Sequence, residues 1–182
     1  MSPKRPYPDD PAEGFPEPPL EMHADAEATI HIERCRPDDE ETIAELIAMY
    51  DDFDPADRAQ GIPPVGKARI EDWLDTVLDG GPDVIAHQDD RVIGHATLVP
   101  DGSVEYELAI FVHQDHRRRG VGTALLRTLL GAAAAAGIEH VWLSVERWNT
   151  VAIELYESVG FRTCDSGSFE LDMSLRIAPS HS

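Results

Sequence analysis

Three strand-like runs in succession, Val84 to His87, Arg91 to Val99 and Val104 to His113, constrain this chain more than any other feature. Asp89-Asp90 and Asp101-Gly102 separate them, and short Asp/Gly turns between such runs predict an antiparallel meander. After Gly120 the pattern turns helical. Leu125, Leu126, Leu129 and Leu130 lead into the run Ala132 to Ala136, and Gly137 stops it. Ile138 to Val145 then reads as a strand and Asn149 to Val159 as a helix ended by Gly160. Phe161 to Cys164 with Phe169 to Leu175 read as a terminal hairpin. Upstream, Thr29 to Glu33 alternates as a strand, and Pro37-Asp38-Asp39-Glu40 opens a helix with acids at its positive end. Ile43, Leu46, Ile47 and Tyr50 form its apolar stripe. Pro55, Gly61, Pro63 and Pro64 break the next stretch into a loop, and Ile70, Trp73, Leu74, Val77 and Leu78 mark a second helix before Gly80-Gly81-Pro82. The predicted order is β-α-α-β-β-β-α-β-α-β-β, an α/β fold with one mixed sheet flanked by helices.

The 182 residues, 42% of them hydrophobic, suit one domain with a closed core, here residues 29–177 followed by a short tail, 178–182. Residues 1–28 carry seven prolines before Leu20, mixed with acids, and predict a disordered tail that cannot offset its own ordering entropy. No run approaches the roughly 18 apolar residues of a membrane span, and the start lacks the order of a signal peptide, so the chain reads as cytoplasmic. Cys35 and Cys164 lie far apart without metal-ligand spacing. His113 and His116 stand at i, i+3 with no third ligand, so no metal is expected.

The most informative segment is His113-Gln114-Asp115-His116-Arg117-Arg118-Arg119-Gly120-Val121-Gly122-Thr123, between a strand and an amphipathic helix. Main-chain N–H groups at a helix start have no intrahelical acceptor. Together with the helix dipole and nearby guanidinium groups, they suit a diphosphate, and glycine permits close approach. Neither GxxxxGK[ST] nor GxGxxG occurs, which leaves P-loop and dinucleotide readings without their key residues.

Arg117-Arg118-Arg119-Gly120-Val121-Gly122 resembles the [RQ]-x-x-G-x-[GA] acetyl-CoA loop of the GCN5-related N-acetyltransferases (GNAT), and the element order agrees from about residue 29 to 175. Asn149 through Phe161 (NTVAIELYESVGF) is similar to the family signature N-x-x-A-x-x-[LF]-Y-x-x-x-G-F. The stretch from Met49-Tyr50 to Pro64 resembles, more weakly, the protein-lysine acetyltransferase branch. The resemblance implies that acetyl-CoA is the co-substrate. Main-chain groups of Ile110, Phe111 and Val112 would meet its pantetheine arm, Arg117 to Thr123 its pyrophosphate, and Asn149 the pantetheine region. Tyr156 would protonate the leaving thiolate, and a homodimer is also implied. Asn149 reads equally as an N-cap, and Tyr156 as a core residue with a satisfied hydroxyl.

Acetylating an amine requires a proton acceptor, because an ammonium has no lone pair. Glu105 and Glu107 alternate with Tyr106 and Leu108 and share one strand face. Glu107 is the expected base and Glu105 the second choice, since half-buried carboxylates side by side would raise one pKa. The expected reaction is direct attack of a primary amine, on a protein lysine or a small molecule, in a ternary complex. A non-catalytic acyl-CoA sensor and a nucleotide-binding module are the competing readings.

The formal net charge is −20, from 35 acidic against 15 basic residues. Such an excess repels nucleic acid and anionic lipid, and it destabilises a compact state unless salt screens it, as in the cytosol of a halophile. Melting temperature is therefore expected to rise between dilute buffer and molar KCl; a flat or falling trend would remove the halophile reading.

Overall fold

A computed structural model describes residues 2–24, 28–57, 63–117 and 120–179. Eight strands and four α-helices follow in the order β1 (Leu20–His23), β2 (Thr29–Arg34), α1 (Glu40–Asp51), α2 (Lys67–Val77), β3 (Asp83–Gln88), β4 (Arg91–Asp101), β5 (Glu105–Val112), α3 (Val121–Ala135), β6 (His140–Glu146), α4 (Thr150–Val159), β7 (Arg162–Ser166) and β8 (Glu170–Arg176). From β2 onward this is the predicted order. The strands form one sheet, β1-β2-β3-β4-β5-β6-β8-β7. The two central residues of the β3–β4 turn, Asp89 and Asp90, both have positive φ, 51° and 65°, a conformation that short polar side chains tolerate. Each neighbouring pair is antiparallel except β5 and β6, where α3 carries the chain back across the sheet. No helix among the described residues is long and apolar enough to cross a membrane.

Strand alternation divides the core into two layers. Leu108, Val141, Leu143 and Val145 face α3 and α4, and pack with Leu125, Leu126, Leu129 and Phe161. On the opposite face Leu46, Tyr50, Ile70 and Leu74 of α1 and α2 cover Ile85 and Val92, with Phe111 packed against them. Polar atoms buried in this second layer are matched. The Tyr50 hydroxyl lies 2.5 Å from His95 Nδ1, and His95 Nε2 lies 2.8 Å from Asp83 Oδ1. With the carboxylate accepting from Nε2–H, Nδ1 is left to accept from the phenol.

The segment expected to be a disordered tail is instead a strap around the domain. Ser174 Oγ donates to Pro6 O (2.7 Å), Arg176 Nη1 donates to Asp9 O (2.8 Å), and Ala12 bridges Ile177. Arg127 Nη2 donates to Gly14 O (3.1 Å), and β1 pairs with β2 from Leu20↔Ile32 to His23↔Thr29. Composition bears only on whether a segment can build a core of its own. This one borrows a core, inserting Ala12, Phe15, Leu20 and Met22 against the α3 layer. Its prolines have little backbone freedom to lose when the contacts form. Of the short tail expected at 178–182, Ala178 N donates to Ala12 O (2.9 Å), while residues 180–182 lie outside the described residues.

The strap meets α3 at Gly131, where an added Cβ would fall 1.9 Å from Pro16 O. Gly131→Ala should therefore detach this stretch, lowering stability by about 1–3 kcal/mol and exposing the chain before Leu20 to proteolysis. Unchanged melting and cleavage would contradict the packed strap.

Candidate active site

The parallel pairing of β5 and β6 is short. Glu105↔His140, Tyr106↔Val141 and Glu107↔Trp142 are in register, yet β5 runs on to Val112 and β6 to Glu146. Their outer neighbours do not part with them: β4 stays paired with β5 up to Gly94↔Val112, and β8 with β6 up to Glu146↔Glu170. A wedge thus opens inside the sheet beyond Glu107 and Trp142, edged by main-chain N–H and C=O groups that no strand pairs across the gap. Such groups need other partners, and an extended polar ligand can supply them.

The mouth of the wedge is built by the loop into α3. Asp115 N donates to His113 Nδ1 (3.2 Å), which makes Nε2 the protonated nitrogen that donates to Asp52 Oδ2 (2.8 Å). Gln114 Nε2 donates to Asp52 O (2.8 Å), so the loop is moored to the end of α1. Arg117 Nε donates to Val112 O (3.1 Å). Gly120 is left-handed (φ 82°), which favours glycine, and the first α3 bond is donated by Ala124 N to Gly120 O (3.1 Å). The N–H groups of Val121, Gly122 and Thr123 are first-turn donors without an acceptor inside the helix, and the positive end of a fifteen-residue helix lies there. A Cβ on Gly122 would meet only ordinary contacts, Leu155 at 3.7 Å and Val112 at 3.8 Å. This mouth fits an anionic diphosphate. Arg118 and Arg119, expected to contribute to it, lie outside the described residues.

The residues expected to meet the pantetheine arm alternate between layers. Ile110 and Val112 pack on the α3 side, whereas the Phe111 ring lies among Tyr50 (5.4 Å), Trp73 (5.6 Å) and Phe53 (6.2 Å). The main chain of Phe111 is paired with His95 of β4, in step with His113 N donating to Ile93 O, so the main-chain groups that turn toward the wedge are those of Ile110 and Val112. On the far wall Asn149 caps α4, its Oδ1 accepting from Ala152 N (3.2 Å), so the cap role is realised and the side-chain NH2 remains to donate elsewhere. Tyr156 packs with the α3 layer, 5.8 Å from the Phe161 ring. Burial pushes its hydroxyl up to about 12, so it holds its proton at neutral pH.

Glu105 and Glu107 do share the face opposite α3, but in unlike surroundings. Glu105, 2% exposed, accepts from Tyr7 Oη (2.8 Å) and lies 3.5 Å from Arg5 Nη1. Burial pushes its carboxyl up, yet the amides of Lys4 and Arg5, the Tyr7 hydroxyl and the Arg5 charge bring it below its ordinary value. Glu107 is raised, first by burial and then by Asp101 and Asp172, with Arg5 opposing. The raised carboxyl therefore comes from burial and Asp101, rather than from the side-by-side glutamates that the sequence reading invoked.

Sequence reasoning missed the groups around Glu107. Trp142 donates from Nε1 to Asp101 Oδ2 (3.1 Å), and the Arg5 guanidinium carbon lies 3.4 Å from its ring centroid. Strand alternation could have put Trp142 on the face of His140 and Ser144, but no local signal links it to a residue near the N-terminus. Trp148, beside Asn149, is 63% exposed. Burial pushes the Cys35 thiol up to about 12 and raises Cys164, so both stay protonated at neutral pH. No group of three or more metal-ligating side chains occurs among the described residues.

Known proteins agree with this geometry. The alanine N-acetyltransferase of ribosomal protein bS18 from Escherichia coli K12 is 44% identical over 52 residues, 29% of this chain and 35% of that protein. A mycothiol acetyltransferase from Clavibacter sepedonicus is 36% identical over 130 residues, 70% of this chain and 38% of that protein. The matched stretches thus span less than half the length of these relatives. Among solved structures, a GNAT-family acetyltransferase from Streptococcus pneumoniae superposes with a TM-score of 0.66 at 22% identity, covering 82% of this chain and 99% of that one. YncA from Salmonella typhimurium, solved with its cofactor acetyl-CoA, gives 0.66 at 20% identity over 84% and 96% of the two chains. The family model described as Acetyltransferase (GNAT) family matches residues 43–161, from within α1 through α4 with β3 to β6 between them, and the chain belongs to that family.

Proposed function

We propose that this protein is an N-acetyltransferase that moves the acetyl group of acetyl-CoA to a primary amine by direct attack. The observation that carries this reading is the wedge itself. A raised carboxyl, Glu107, stands on one face of the sheet where β5 and β6 part, and a protonated phenol, Tyr156, packs on the other. A thioester lodged between the strands would be flanked by an acceptor of protons and a donor of protons. The relatives act within the same class: the E. coli protein is named for an alanine of a ribosomal protein, the Clavibacter protein for mycothiol.

The roles follow from this placement. The first-turn amides of α3 and Arg117 hold the diphosphate, with Arg118 and Arg119 as further candidates. Main-chain groups of Ile110 and Val112, which point away from β4, bind the extended arm, and the NH2 of Asn149 donates to it. Glu107 takes a proton from the ammonium, directly or through a water. The freed nitrogen pair then forms the new N–C bond at the thioester carbonyl while unpaired strand N–H groups stabilise the charge on oxygen. As the C–S bond breaks, Tyr156 gives its proton to the departing thiolate, and the proton that the new amide nitrogen sheds restores the phenol. Protonated, half-buried cysteines suit this route better than one through an acyl-enzyme. Glu105, held ionised by its hydrogen bonds and ion pair with the strap, is better placed as a structural partner than as the base.

Thiol release in high KCl, with acetyl-CoA and a panel of peptides, polyamines and aminoglycosides, tests the reading. Coenzyme binding without release on any amine would mark a sensor instead. Glu107→Gln should lower kcat by about 100-fold or more with little change in coenzyme affinity. In the wild type, activity should fall as pH drops through a pKa above the ordinary 4.5 of glutamate, because the base must be ionised, and this acidic limb should vanish in the variant. Equal turnover in the two proteins would discard the assignment.

A further inference from the structure

The strap brings a cation to the place where the proposed reaction needs one to arrive. Arg5 lies over the Trp142 ring, with Nη1 3.2 Å from Asp101 Oδ2 and 3.5 Å from Glu105 Oε1. Trp142 and Glu107 are the last residues paired before β5 and β6 part, so the guanidinium sits at the entrance to the wedge on the Glu107 face. Its charge acts on Glu107. An aromatic floor, an aspartate fixed by the indole N–H, and further carboxylates on neighbouring strands make a receptor for an organic cation. An amine acceptor reaches the site as such a cation.

The strap does not depend on Arg5 for its position. Tyr7 is held by Glu105 and stacks edge-on to His140 at 4.7 Å, while Pro6 O and Asp9 O are held by Ser174 and Arg176. The Arg5 side chain, 24% exposed, can swing into water without peeling the segment away.

We propose that Arg5 is a built-in occupant of the acceptor subsite, and that a cationic acceptor binds by displacing it from the Trp142 ring and Asp101. The inference rests on the acetyltransferase reading and adds to it the recognising groups: Trp142 and Asp101 select a flexible organic cation, and the strap competes with it within the same chain. Weak acceptor binding is then a property of the N-terminal segment as much as of the pocket.

Calorimetric titration of spermidine into the full chain, without coenzyme, tests this separately from catalysis. Arg5→Ala should bind spermidine about five- to ten-fold more tightly than the wild type, the size of one cation–π contact and one partly exposed ion pair removed from competition. Arg69→Ala, which removes the same charge from an exposed position on α2, should leave affinity unchanged. Adding Trp142→Leu to Arg5→Ala should cancel the gain. Equal or weaker binding by Arg5→Ala overturns the proposal, weaker binding meaning that Arg5 is a fixed wall of the site. An equal gain in Arg69→Ala overturns it too, as a general charge effect. Failure of thiol release would count against the acetyltransferase reading, whereas an unmoved spermidine affinity counts against the Arg5 inference alone.

Discussion

An interrupted hydrogen-bond ladder governs this structure. A mixed sheet gains its stability from continuous pairing, yet β5 and β6 share only three registered pairs before they part. The gap persists because the strands on either side remain fully laddered to β4 and β8 and cannot follow it shut. Val121, Leu125 and Leu126 of α3 pack in the same core layer as Leu108 of β5, Val141 and Leu143 of β6, and Val159 of α4. Groups that would otherwise stabilise the fold are thereby left for a ligand. The helix that permits the parallel crossover also aims its positive end at the mouth, so one topological choice produces both the slot and its anion-binding rim.

The same constraint organises the charges. At −20 overall, the chain has carboxylates almost everywhere, and a carboxylate becomes chemically distinct only through its surroundings. Glu105 and Glu107, two residues apart on one strand face, are driven in opposite directions. The strap supplies Glu105 with a phenol, two amides and a guanidinium, while Glu107 has burial and Asp101. Arg5 is thus both an ion-pair partner of Glu105 and a cation whose charge reaches the base in the proposed reaction. Its stacked indole contributes where a bare surface ion pair would contribute little.

What was legible in the sequence was local. The Asp89-Asp90 turn, the glycines around α3 and the strand alternation each act over a few residues, and the element order from Thr29 onward followed from them. The rim of the wedge was readable because helix-start chemistry is written within one turn, at Gly120 to Thr123. The strap was not legible. Its contacts span a hundred residues, as from Arg5 to Glu105, and use carbonyls of Pro6, Asp9 and Gly14 that any side chain could carry. For the same reason the surroundings of Glu107, and the double engagement of Trp142, emerged only when distant strands were brought together.

In the proposed function, first-turn main-chain nitrogens of α3, beside the parted strands, hold the diphosphate of acetyl-CoA. Titrating acetyl-CoA into the wild type and a Gly122→Ala variant in molar KCl tests it most directly, since a Cβ at Gly122 meets only ordinary contacts within the chain while a coenzyme passing close would not accommodate it. The account predicts saturable one-to-one binding in the wild type and at least about ten-fold weaker binding in the variant at similar melting temperature, as expected where glycine permits close ligand approach. No binding to the wild type, or equal binding to both, would contradict it.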